Sequence, residues 1–270
     1  MEIQWSLVIF TTLAGTGAWL FAFLGLAEAR GRRMQERNKF TIALVALVLL
    51  AVGGVASVTH LSHPDRIMGA LGHPTMGIFA EAAFLGVVAL LIVVYLVMLK
   101  RKAAMRLVRG VALAGGGLAV VLSFVLGYSY MMASRVAWNM ISLPAAYLGT
   151  AMSVGSACFV VLLLIGKEEG SLEFGARTLL VSGIVSAVTS VLYGLLSGAA
   201  TGDTAALFWV LAVVCGGAVP AVCGYLSLKK PDQVMTFGMI ALVMALCGCI
   251  GFRCVMWMVG AGLNYFGYVI

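Results

Sequence analysis

Charge is what this chain has least of. Only 10% of its 270 residues are charged, 17 Lys and Arg against 10 Asp and Glu. A soluble domain is nearer a quarter charged. Polar groups this sparse cannot cover a surface facing water, which excludes a water-soluble globular protein. Histidine is scarcer still: the three, His60, His63 and His73, fall in one stretch. A haem b held between spans needs two histidines at membrane depth on facing helices, and this stretch supplies no such pair. The six cysteines (Cys158, Cys215, Cys223, Cys247, Cys249 and Cys254) form no C-x-x-C pair and no Cys/His metal spacing. No iron–sulfur or other metal centre is expected within this chain. Acidic and basic tracts are missing outside short connections, so the net charge of +7 does not indicate nucleic acid. Short alternating segments, the mark of a membrane barrel, are absent too.

What is present is apolar. The chain is 63% hydrophobic with a mean hydropathy of +1.10. Runs such as Phe40–Thr59 and Gly77–Leu99 continue for about 20 residues, the length that crosses hydrocarbon at 1.5 Å rise per residue. Lipid must be the solvent, and there every backbone polar group needs a partner inside its own segment. We therefore expect an all-α integral membrane bundle of eight transmembrane helices, a single domain over 1–270. The predicted spans are 6–27, 40–59, 77–99, 110–131, 144–166, 178–197, 205–227 and 234–256. The first lacks a basic region ahead of it and is long enough to span, so it reads as a helix rather than a cleaved leader. The 33 glycines suit close helix packing, as in Gly110–Gly117 and Gly248–Gly260.

Lys and Arg set the expected orientation. Fourteen of the 17 fall on one side of an eight-span chain. They are Arg30, Arg32, Arg33, Arg37 and Lys39, then Lys100, Arg101, Lys102, Arg106 and Arg109, then Lys167 and Arg177, and finally Lys229 and Lys230. The positive-inside rule makes that side cytoplasmic and places both termini outside, with the chain in the inner membrane. For all fourteen, topology and lipid anchoring are explanation enough.

The opposite side is where chemistry is expected. Arg66, Arg135 and Arg253 break the charge bias. Glu81 lies one turn into the third span and is the only acidic residue that these boundaries place inside a membrane segment. Ionisable groups at such depth are costly and mark a pathway, a ligand site or a buried pair. His60, Arg66, Glu81, Arg135 and Arg253 are candidates for one pocket in the outer half, with Tyr128, Tyr130, Trp138 and Trp257 at the same depth. As a simpler reading, the aromatics are an interface belt, Arg253 snorkels, and His63 and His73 lie in solvated turns before prolines. A quinone needs an apolar slot, groups that bond its two carbonyls, and groups that exchange two protons. Histidine titrates near neutrality and suits that exchange, as does a carboxylate. An arginine stabilises charge that develops on the ring oxygens.

Four motifs resemble one family. V-T-H-L-S-H-P-D-R (58–66) resembles the H-L-G-S-P-x-R loop that follows span two in the DmsC family, the membrane anchors of dimethyl sulfoxide reductase-type molybdoenzymes. F-A-E-A-A (79–83) is similar to its N-E segment, R-V-A-W-N (135–139) to its R-V-Y-N, and G-F-R-C-V-M-W (251–257) to its G-R-G-V-F-Y ending. The NrfD/polysulfide reductase anchors are more distantly similar. The resemblance implies a menaquinol-oxidising anchor with menaquinol/menaquinone as its redox partner. It also implies an iron–sulfur subunit with four cubane clusters and a molybdopterin catalytic subunit. It places catalytic roles on His60 and Glu81 and a quinol-binding role on Arg66. Ser62, His63 and Met68 depart from the family pattern, so the headgroup contacts differ there. Two other functions fit the residues alone: a secondary transporter, which needs polar groups near the midplane, and a passive anchor with its quinol site elsewhere.

Overall fold

A computed structural model describes residues 2–32, 34–59 and 77–260. The segment carrying His60, His63, Arg66 and His73 lies outside the described residues. Eight helices are long and apolar enough to cross a membrane. They are α1 (Trp5–Ala29), α2 (Glu36–Val58), α3 (Gly77–Lys100), α4 (Met105–Tyr128), α5 (Ser142–Ile165), α6 (Glu169–Ser197), α7 (Gly202–Lys229) and α8 (Val234–Val259). The chain is a multi-pass membrane protein.

Several helices run past the predicted ends. α6 begins at Glu169 rather than 178, and α2 at Glu36 rather than 40. Apolar runs mark only the part of a helix in hydrocarbon. The polar turns beyond it keep helical geometry because their backbone bonds continue.

Three connections on the basic side stop their helices in the same way. Gly31, Lys102 and Lys167 adopt φ of 66°, 51° and 55° after α1, α3 and α5. In each, the left-handed residue bonds three residues back (3.0–3.1 Å) and the next amide bonds five back (2.9–3.0 Å). That is the Schellman arrangement, which satisfies carbonyls a helix end would leave open.

Sequence neighbours pack side by side. α1 to α4 form one four-helix ring and α5 to α8 another, with α1 and α4 meeting α5 and α8 between them. α1 is the axis of the assembly: 83% of its apolar window is buried, against 28% for α2 and α3. Glycine permits the closest contacts. A Cβ on Gly127 of α4 would stand 2.5 Å from the Pro144 Cα of α5, and one on Gly248 of α8 would stand 2.2 Å from Gly216 of α7. From Phe208 to Ala218, α7 is wound as a π-helix. This wider turn seats the consecutive Gly216 and Gly217 against different neighbours, Gly248 of α8 and Ala187 of α6.

Candidate functional site

On the face away from the basic loops, the start of α3 presses on the end of α4. A Cβ on Gly77 would meet Ser129 at 2.9 Å. This sets Glu81, one turn further on, beside Ser129, whose hydroxyl donates to Glu81 Oε1. The carboxyl has no cationic partner among the described residues. Next to it the buried Tyr130 stacks on Tyr147 of α5, with ring centroids 5.6 Å apart. Burial pushes the Tyr130 phenol well above its ordinary range. Tyr147 and Glu81 add to this shift, and Arg253 opposes it. Tyr130 thus stands in the electrostatic reach of both the acid and the arginine.

Tyr130, Trp138 and Trp257 make a box of edge-on rings, their centroids 5.0–6.1 Å apart. Trp138 Nε1 donates to the Met256 carbonyl at 2.8 Å. Arg135 lies 4.6 Å over the Trp138 ring and donates to the Gly260 carbonyl. The segment between α4 and α5 is therefore fastened to the end of α8. Tyr128 is exposed, while Tyr130, Trp138 and Trp257 are buried, so the interface-belt reading fails for these three.

Arg253 does not snorkel. It is 1% exposed and joins the two four-helix rings. Its Nε donates to Thr11 Oγ1 at 2.8 Å and its Nη2 to the Thr11 carbonyl at 3.1 Å. Nη1 reaches the Cys249 carbonyl at 3.0 Å, Cys249 Sγ at 2.8 Å and Thr150 Oγ1 at 3.4 Å. The face of Tyr147 lies 4.6 Å from the guanidinium. Both threonine hydroxyls donate to their own helices, to the Leu7 and Ala146 carbonyls at 2.9 and 2.8 Å, and so turn their lone pairs toward the arginine. A buried cation is tolerated only with hydrogen-bond partners, and here protein oxygens and sulfur accept from all three guanidinium nitrogens. The structure thus brings Glu81, Tyr130, Tyr147 and Arg253 into one line. Arg135 stands at its edge, and His60 and Arg66 are not described.

The other face holds a second buried acid and corrects one expectation. α1 runs on to Ala29, just past the predicted span, and carries Glu28, 1% exposed. Lys39 is more than a topology signal: its Nζ lies 2.8 Å from Glu28 Oε1. Tyr95 of α3 donates to the same oxygen at 3.2 Å, and Arg109 of α4 approaches Oε2 at 3.8 Å. Beside them Asn38 donates to Glu168 Oε1 at 2.6 Å and to the Gly166 carbonyl at 2.8 Å. Sequence reading missed Glu28, Ser129 and Tyr147 as site or network residues, and it gave Tyr130, at the depth of the pocket, the simpler reading of an interface belt. Only Glu28 left a signal, as an acid abutting the apolar run on the basic side.

Among the described residues, no group of three or more His, Cys, Asp or Glu is placed to hold a metal ion. Eight spans with a half-buried carboxyl and a buried aromatic box near one face define a membrane subunit with a polar site at the bilayer edge. The chain belongs to the DmsC family, described as DMSO reductase anchor subunit, which matches residues 1–206. No curated protein matches the chain. The family match ends within the first residues of α7, so the ring that α5 and α6 complete with α7 and α8 lies only partly within it.

Proposed function

We propose that this chain is the quinol-oxidising anchor of a DMSO reductase-type complex, with its site around Glu81. Family membership supports the anchor role and, with it, catalytic and iron–sulfur partner subunits. The finer reading rests on one observation. Glu81 is a carboxyl at membrane depth whose described side-chain partner is a neutral serine hydroxyl. Such a group accepts a proton without breaking an ion pair, and intramembrane acids of this kind serve proton relays.

In this reading menaquinol enters from lipid at the start of α3. His60 and Glu81 take its two protons, and its two electrons pass to the nearest cluster of the iron–sulfur subunit docked on the same face. The quinol leaves as quinone, so protons and electrons balance. Arg66 and Arg135 hold positive charge near the ring oxygens. Arg253, with its donors occupied by Thr11, Thr150 and Cys249, acts from a distance by fixing Tyr147 beneath Tyr130. By the positive-inside rule the site faces outward and its protons leave on that side. The partner subunit carries four cubane clusters and the catalytic subunit carries molybdopterin. Their substrate is dimethyl sulfoxide or another reducible oxide.

Two variants test this. Glu81→Gln, assembled with its partners in membranes, should weaken the fluorescence-quenching titration of a quinol-analogue inhibitor by at least tenfold. His60→Ala should stop quinol oxidation while the partner subunits stay membrane-bound. Unchanged inhibitor affinity together with unchanged turnover would leave a passive anchor instead.

A further inference from the structure

On the basic side, α4 and α5 part and leave a crevice floored by α1. At the other face the two helices touch, as the close approach at Gly127 requires. The crevice holds about 270 Å³ and is lined by Trp19, Phe23 and Leu26 of α1, Leu113 and Gly117 of α4, and Met152 of α5. Gly116, behind it, packs on the Ala22 Cα at 3.2 Å from an added Cβ and closes the floor. Gly117 faces open space, with no heavy atom within 4 Å of where its Cβ would be.

The same face of α4 continues toward the basic loops at helical spacing. Arg106, Arg109, Leu113, Gly117 and Val120 lie three or four residues apart. The step from Arg109 to Gly117 is about 12 Å at 1.5 Å per residue, less than the depth of one leaflet of a core about 30 Å thick. Arg106 has no acidic partner among the described residues. Arg109 touches Glu28 only at 3.8 Å, and Glu28 is already met by Lys39 at 2.8 Å. The charge at the mouth of the crevice is therefore surplus and positive.

We infer that this crevice is a binding site for an anionic phospholipid of the leaflet on the basic side. One acyl chain fills the space beside Gly117, and Arg106 and Arg109 hold the phosphate. Apolar depth alone would accept any chain, whereas the two arginines select a negative headgroup. Basic pockets between spans recognise anionic headgroups in this manner. A lipid seated here fills the gap between the two four-helix rings where their helices diverge.

The test uses the full chain in nanodiscs of phosphatidylglycerol or of phosphatidylcholine with the same acyl chains. Lipid retained after transfer to detergent is read by native mass spectrometry. Phosphatidylglycerol should be retained over phosphatidylcholine. Arg106→Gln should cut that preference roughly fivefold, and Arg106→Gln with Arg109→Gln should cut it further, by the ordinary worth of one basic side chain at a membrane surface. Gly117→Leu should reduce retention of both lipids with unchanged helical circular dichroism. Arg106→Gln carries the test even if Arg109→Gln disturbs Glu28, because Arg106 bonds nothing in that network. Equal retention of the two lipids, a preference that survives both arginine substitutions, or displacement of the occupant by long-tailed menaquinone would each overturn the site.

Discussion

Two carboxyls sit in the first four-helix ring at opposite faces of the membrane, and they are handled in opposite ways. Glu28 is enclosed by Lys39, Tyr95 and Arg109, so side chains from three other helices meet at its pair of oxygens. Glu81 has a serine hydroxyl and an aromatic box beside it. The first arrangement holds the carboxyl between a lysine, a tyrosine and an arginine. The second, in the function proposed above, leaves the carboxyl able to exchange a proton. The two acids differ in their partners as well as in burial, Glu28 being 1% exposed and Glu81 half-buried.

Removing one side of the locked pair should give the largest effect. Glu28→Gln leaves Lys39 buried and unmatched, a loss of about 3–5 kcal/mol for breaking a buried pair. It should appear as a fall in thermal stability and in the amount of chain reaching the membrane. The doubly altered Glu28→Gln, Lys39→Met should regain part of that loss, because neither charge is then stranded. Glu81→Gln should do the reverse, lowering quinol oxidation roughly 100-fold or more while the melting temperature of the assembled complex stays within a few degrees. Gly127→Ala comes next: a Cβ 2.5 Å from Pro144 forces the two rings apart at a cost of about 1–3 kcal/mol, read by thermal unfolding. Smallest is Arg177→Ala. It removes an exposed pair with Glu173 at 2.6 Å, and it should change stability by about 0.5 kcal/mol or less.

Much of this contrast can be read from the chain itself. Eight apolar runs of spanning length give the eight helices, and the basic connections give one consistent side. Glu81 stands out because nothing near it in sequence is polar. Glu28 escapes notice because it abuts a loop rich in arginine, where an acid looks solvated; only the packing of Lys39, Tyr95 and Arg109 around it shows that it is buried. Arg253 is legible as an arginine in a span but not in its role. Its partners are Thr11, Thr150 and Cys249, and the first two lie 242 and 103 residues away. Threonine in an apolar run reads as ordinary helix surface until a neighbour is known. Tyr130, Trp138 and Trp257 fall at the depth of an interface belt, and only tertiary packing turns them inward.

The most direct measurement is quinol-analogue turnover per assembled complex for Glu81→Gln and Glu28→Gln, side by side in the same membranes. Our account predicts a collapse of turnover for Glu81→Gln. For Glu28→Gln it predicts fewer assembled complexes, each turning over at the parent rate. Parent-rate turnover by the Glu81→Gln complex would contradict it.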